Sequence, residues 1–351
     1  MSPTKNLTGY SLSPKQDKIL ITTRGVLAIA PNWEGPVIKI GECQGVRHKL
    51  ANWLGNTSKI IAVNDSDGEE RIILYDSENI KNYKKFKQIG SGGYIQQLTP
   101  SPEGTLAAVA VSNCLHILSL NDDTSKKIDQ AGNRYFREFS WSPDGRWLAY
   151  AKFESEYNYS SIYIYDTQTE KITRVTHEEV HDYSPCFDPK GRYLYFLSKR
   201  VFNPYEDSLQ NDYNFPATAR PYLLVLQASQ YSPFTSAGSL DLDDDDNEDN
   251  NSKIKKKKKK KEKENIKVEI DLDGIINRIQ AIPIKEGRYF KLSAADDKIF
   301  VLKEPLQGVL TEVHIFDPGK QAKYTLLSYD LKTRKETIIT RRLTSFSHNF
   351  P

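Results

Sequence analysis

Phe139-Ser140-Trp141-Ser142-Pro143-Asp144-Gly145, running on through Trp147 to Phe153, decides the fold. Phe139 to Trp141 reads as a short strand, Pro143 presets φ for a turn, and Gly145 supplies the positive φ that closes it. Trp147 to Phe153 is the returning strand. Ser161-Ile162-Tyr163-Ile164-Tyr165-Asp166 then alternates as a third strand, Thr167 to Glu170 turns, and Ile172 to Thr176 makes an outer strand. Four short strands in one sheet cannot bury both faces alone, so the unit needs neighbours of its own kind.

Those neighbours are present at intervals of roughly 40 to 50 residues, the spacing of propeller blades. The matching segments are Tyr10-Ser11-Leu12-Ser13-Pro14, Leu50-Ala51-Asn52-Trp53-Leu54, Leu98-Thr99-Pro100-Ser101-Pro102 and Tyr183-Ser184-Pro185-Cys186-Phe187-Asp188-Pro189. A sixth unit runs from Tyr289 through Lys298 to Leu302, then Tyr324 to Tyr329 and Glu336 to Thr340. Leu343-Thr344-Ser345-Phe346-Ser347 resembles the first strand of another blade. The expectation is an all-β protein: a β-propeller of four-stranded antiparallel blades, six blades plus the start of a seventh, with residues 1–351 forming a single domain truncated at its C-terminus.

Composition agrees. The 351 residues are 38% hydrophobic with 20 Tyr and 14 Phe, a mixture suited to stacked sheets. Cys43, Cys114 and Cys186 are odd in number and unevenly spaced, which supports neither a disulfide framework nor a zinc cluster and suits a reducing compartment. The opening residues lack the apolar run of a secretory signal, and no stretch approaches the length of a membrane span. The expected location is cytoplasmic, with no membrane partner.

One segment breaks the β pattern. Asp241 to Asp249 carries seven acidic residues, and Lys253 to Lys263 carries nine lysines and one Glu, so charges of −7 and +8 nearly cancel. Such runs cannot bury apolar surface, and residues 235–265 are expected to be a disordered acidic and basic insertion within the fifth blade, between strands Tyr222 to Leu226 and Ile276 to Ile282. No aromatic residues interleave with the lysines as base stacking would require, so no nucleic-acid partner is expected.

Longer phrases carry a resemblance. Asp65-Ser66-Asp67-Gly68-Glu69-Glu70-Arg71, Asp182-Tyr183-Ser184-Pro185 with Gly191-Arg192-Tyr193-Leu194-Tyr195-Phe196-Leu197-Ser198, and Phe215-Pro216-Ala217 with Arg220-Pro221-Tyr222 are similar to the tricorn protease family. So are Ile270-Asp271-Leu272-Asp273-Gly274-Ile275, Arg278, Pro283 and Gly287-Arg288-Tyr289. The part resembled is the seven-bladed propeller, the second of two that precede the peptidase half. The resemblance implies a non-catalytic module of a tricorn-like serine peptidase, gating or channelling peptides to a site in domains outside this chain. It also implies an oligomeric parent enzyme whose remaining domains or subunits are the partners. The family's catalytic serine, histidine and glutamate belong to those later domains and its basic anchor for substrate carboxylates to the other propeller. No catalytic, cofactor-binding or metal-binding residue is therefore carried onto this chain, and no cofactor is expected. A free-standing interaction scaffold is the alternative that fold analogy allows.

Local motifs are consistent with that reading. His177-Glu178-Glu179-Val180-His181 matches a zinc-peptidase pattern, but that pattern needs a helix and these residues fall between two strands. Calcium-loop readings around Gly68 and Gly274 place Leu74 and Gln280 where a bidentate Glu is required, so both are expected to be turns. Gly90-Ser91-Gly92-Gly93 lacks the Lys and Ser or Thr of a phosphate loop and is expected to turn between blades. No G-x-S-x-G elbow occurs.

Overall fold

A computed structural model of the protein describes residues 6–41, 45–132, 134–153, 159–207, 212–234, 266–306 and 323–343. The expected insertion at 235–265 and residues 344–347 of the expected seventh blade lie outside the described residues.

Among the described residues, six four-stranded antiparallel sheets follow one another in chain order. Blade 1 comprises β1–β4 (Leu7–Leu12, Lys18–Thr23, Val26–Pro31, Ile38–Ile40), and blade 2 comprises β5–β8 (His48–Trp53, Lys59–Asn64, Arg71–Asp76, Tyr83–Lys85). Blade 3 is β9–β12 (Ile95–Pro100, Leu106–Val111, Cys114–Ser119, Thr124–Gln130), and blade 4 is β13–β16 (Arg137–Trp141, Trp147–Phe153, Ser160–Asp166, Ile172–Arg174). Blade 5 contains β17 (His181–Phe187), β18 (Tyr193–Lys199), β21 (Arg220–Val225) and β22 (Ile279–Ala281), with a small hairpin, β19 (Tyr205–Asp207) and β20 (Asp212–Asn214), inserted before its third strand. Blade 6 is β23–β26 (Tyr289–Ala295, Lys298–Lys303, Tyr324–Asp330, Lys335–Leu343). The close contacts between successive blades run through their first strands, β1 to β5, β9, β13, β17 and β23, which places those strands innermost about a common axis.

The turn that decided the fold recurs with the same chemistry in blades 3, 4 and 5. In blade 4, Gly145 at φ 70 sends its N–H to the Ser142 carbonyl at 2.9 Å, and Ser142 Oγ accepts from Trp147 N–H at 2.9 Å. Ser101 does the same for Gly104 and Leu106 in blade 3, and Asp188 for Gly191 and Arg192 in blade 5. Blade 1 keeps the serine, Ser13, but places Gln16 at φ 58 where the others have glycine.

Because side chains alternate across each sheet, every inner blade offers an apolar face to each neighbour. Ile60, Ala62 and Ile73 of blade 2 meet Leu20, Leu27 and Ile29 of blade 1, while Ile61, Val63 and Ile72 meet Leu98, Val109 and Val111 of blade 3. Clusters of the same kind lie between blades 3 and 4, 4 and 5, and 5 and 6. Blade 1's other face carries Leu7 and Leu12, each 40% exposed.

Two expectations are corrected. Leu343 does not open a new blade: it ends β26 and pairs with Tyr324, because the sixth blade's outer strand runs on past Thr340. The fifth blade's outer strand does not begin at Ile276, since Ile275–Arg278 form a 3₁₀ turn that Gly274 enters at φ 60. Arg278 holds that turn by donating to the carbonyls of Val225, Leu226, Asp271 and Asp273. Upstream of the turn, Val268 is tied beneath blade 4. Its N–H donates to Asp144 Oδ2 at 2.8 Å and its carbonyl accepts from Trp147 Nε1 at 3.0 Å. No helix among the described residues is long and apolar enough to cross a membrane.

Candidate functional site

All six axial strands carry one residue more than their partners near their starting ends. In β5 the register steps from Lys49↔Val63 to Asn52↔Ile61, and β13, β17 and β23 repeat that step. In β1 and β9 the extra residue is a single one, Thr8 and Gln96. Three of the bulges hold a non-glycine residue at left-handed φ: Leu50 at 54, Glu138 at 59 and Ser184 at 54. A β-bulge bends its strand and re-aims a side chain, and bulges are over-represented beside functional sites. Here they gather on the axis.

The bulges are also what links the blades there. Glu138 N–H donates to Gln97 Oε1 at 2.9 Å, Ser184 N–H donates to the Glu138 carboxylate, and Leu292 N–H donates to Ser184 Oγ at 3.0 Å. Glu138 and Ser184 thus turn their amides toward the preceding blade. On the other side, Glu70 accepts from Ile95 N–H at 2.7 Å and pairs with Lys49 at 2.6 Å, so blades 2 through 6 are joined in sequence. Tyr183 hydroxyl donates to the Tyr289 carbonyl at 2.7 Å, and burial pushes that phenol upward, so it stays protonated.

The axis is polar without carrying a set of reactive groups. Lys291, in the β23 bulge, is exposed to solvent yet flanked by protein. That partial desolvation lowers its ammonium pKa, with the charge of Glu138 acting the other way. Cys186 is packed against blade 6, and its thiol is pushed up to about 12 by burial, which keeps it from acting as a thiolate.

The zinc-like motif is in a different place and a different shape. His177 is exposed in the turn after β16, Glu178 pairs with Arg174, and His181 opens β17 with Nδ1 2.9 Å from Ser160 Oγ and its ring stacked on Tyr183. The two histidines therefore do not share a helical face. Among the described residues no group of three His, Cys, Asp or Glu side chains could hold a metal ion. The two calcium-like segments and Gly90–Gly93 are turns: Gly68 N–H bonds the Asp65 carbonyl, Asn277 N–H that of Gly274, and Gly92 N–H that of Ile89.

Six blades about a polar axis define a β-propeller whose distinguishing feature is its ring of bulged inner strands. The chain belongs to the family described as the Tricorn protease second beta propeller domain, whose sequence model matches residues 7–349. It is 29% identical over 336 residues to a Tricorn protease homolog of Saccharolobus solfataricus, covering 94% of this chain and 27% of that protein. It is 26% identical to Tricorn protease homolog 1 of Streptomyces coelicolor, covering 90% of this chain and 29% of the relative. The crystal structure of the tricorn protease superposes with a TM-score of 0.76 at 22% identity, over 98% of this chain and 32% of the other, a likeness of fold. The chain thus spans about a third or less of each of these proteins.

Proposed function

We propose that this chain is the non-catalytic propeller module of a tricorn-like peptidase, admitting unfolded peptides along its axis to a peptidase site in domains outside the chain. The observation that carries this reading is the bulge ring. Six inner strands bulge near their starting ends, and bonds between those bulges tie blades 2 through 6 together around a polar axis along which an extended peptide could move. Family membership supports the same role, since the relatives are peptidases much longer than the region they share with this chain. The ring we propose is seven-bladed, a further sheet covering Leu7 and Leu12 on blade 1.

Titration of the chain with one protein in its reduced, unfolded form and in its native form tests this. Only the unfolded form should bind, and Lys291→Trp, which narrows the axis, should weaken it by about tenfold. Equal binding of both forms, or indifference to Lys291→Trp, overturns the channel reading.

A further inference from the structure

Between its second and third strands blade 5 sends out an arm, Val201 to Ala219, that contains the hairpin β19–β20. The arm carries Phe202, Tyr205, Tyr213 and Phe215, exposed by 69%, 62%, 68% and 45%. Rings of this size hold about 200 Å² each, so on the order of 500 Å² of aromatic surface stands in water, as much as the largest apolar patch of a typical soluble monomer. The arm is held firmly at its root. Glu286, from the segment entering blade 6, accepts from Asn203 Nδ2 on the outgoing side at 3.2 Å and from Arg220 Nη2 on the returning side at 3.0 Å. Val201 N–H donates to the Thr218 carbonyl, and Ala219 pairs with Gly287. Phe202 and Phe215 meet edge to face, with centroids 6.5 Å apart. In the hairpin Tyr205 pairs with Asn214 and Glu206 with Tyr213, and successive pairs of a ladder point to opposite faces. Tyr205 and Tyr213 therefore lie on opposite faces of the arm, a shape suited to entering a cleft.

Two observations fix what the arm enters. One is position. Lys199, which leads into the arm, pairs with His181 at the start of β17, so the arm projects from the bulged end of the propeller. Leu7 opens β1 at that end, and the pairs Tyr289↔Lys303, Lys303↔Thr325 and Tyr324↔Leu343 bring the last strand back to it. Sequence joined to either side of this propeller thus leaves from the same end as the arm. The other observation is charge. The arm holds Glu206, Asp207 and Asp212 and no Lys, Arg or His, in a chain whose formal net charge is +3. An acidic, aromatic arm is complementary to an apolar cleft with a basic rim.

Resting on the proposed peptidase reading, we infer that the arm docks this propeller onto the domains or subunits joined to it at the bulged end, entering an apolar cleft with a basic rim. Docking there holds the bulged mouth of the axis toward the peptidase site.

Hydroxyl-radical footprinting read by mass spectrometry tests it, on this chain alone and on the natural protein that carries it together with the peptidase domains. In the chain alone all four rings should be oxidised. In the larger protein their oxidation should fall about tenfold, as for rings sealed from water at an interface. Tyr231, 85% exposed in the segment that follows β21 at the opposite end of blade 5, should stay as reactive as before. In the larger protein Tyr205→Ser with Tyr213→Ser, and separately Glu206→Lys, should return Phe202 and Phe215 to the reactivity they have in the chain alone. Both variants of the chain alone should melt with the wild type, since these side chains stand in water. Equal oxidation of the four rings in the two proteins overturns the docking. Protection of the rings in the chain alone by an unfolded peptide assigns them to substrate and also overturns it. Reactive rings in a larger protein that hydrolyses peptides overturn the docking and leave the peptidase reading standing, whereas protected rings in one that hydrolyses none support the docking and overturn that reading.

Discussion

Replacing Asp166 by Asn should expose how much one buried ion pair contributes to this propeller. Arg146, which follows the deciding turn, reaches across blade 4 to Asp166 with Nε–Oδ1 at 3.0 Å and Nη2–Oδ2 at 2.8 Å, while its guanidinium lies 4.5 Å from the Trp147 ring centre. Asp166 is 3% exposed and also accepts from Gln168 N–H and Thr169 Oγ1, each at 3.0 Å. Arg146 foremost, with those donors, holds the carboxyl at about 2 against the opposing effect of burial. An unfolded Asp titrates near 3.9, so the depression corresponds to roughly 2–3 kcal/mol of stability at neutral pH. Because the folded value lies below the unfolded one, this contribution is complete above about pH 4 and is lost as pH falls through 2. By linkage it should be about half its full size at pH 3. Urea melts of the wild type and Asp166→Asn at pH 7, 4 and 3 measure it. The variant should be less stable by that amount at pH 7, and the gap should narrow between pH 4 and 3. A gap that is absent at neutral pH, or that stays constant down to pH 3, refutes the assignment.

Three further outcomes follow. Trp147→Phe removes buried indole volume and leaves the Val268 carbonyl without its donor, so it should cost roughly 2–4 kcal/mol and speed trypsin cleavage after Lys267; unchanged melting and cleavage would mean that the 266–273 segment is held elsewhere. Gln16→Gly relieves a left-handed residue where blades 3, 4 and 5 carry glycine, and should raise stability by about 0.5–1 kcal/mol in a thermal melt; a loss would show that the Gln16 side chain matters more than its backbone. A longer chain carrying about 40 further residues of natural sequence should bury the exposed face of blade 1 and melt higher, at roughly 1.5–3 kcal/mol for each large apolar side chain covered, whereas equal stability would mean that six blades suffice.

The blades were legible because a strand repeat needs only local chemistry. Ser142, Pro143, Asp144 and Gly145 announce a turn wherever they occur, and Trp147 to Phe153 can be read as a strand without knowing its neighbours. The bulge ring was not legible. Thr8, Leu50, Gln96, Glu138, Ser184 and Lys291 share no residue type, and their common role is set by pairing with the second strand of each blade, which no single segment encodes. The one available sign was a polar residue interrupting an apolar inner strand, as Glu138 and Ser184 do. The hairpin Tyr205–Asn214 escaped for a related reason, since three-residue strands give too little alternation to detect. The 3₁₀ turn at Ile275–Arg278 is hidden in the sequence because Ile276 and Ile279 satisfy a β pattern, whereas Arg278 and its four carbonyls decide otherwise. That His177 and His181 do not share a helix was readable in the sequence, since five residues between strands leave no helix to align them.

Peptide passage along the axis is tested most directly by photo-crosslinking. Benzoylphenylalanine replaces Lys291 on the innermost strand of blade 6 in one protein and Tyr83 on the outermost strand of blade 2 in another, each illuminated with an unfolded radiolabelled peptide. Strong labelling from position 291, competed by excess unlabelled peptide, with little from position 83, is the predicted result. Labelling that is equal at the two positions, or confined to position 83, would contradict it and make this propeller a platform bound from its outer surface.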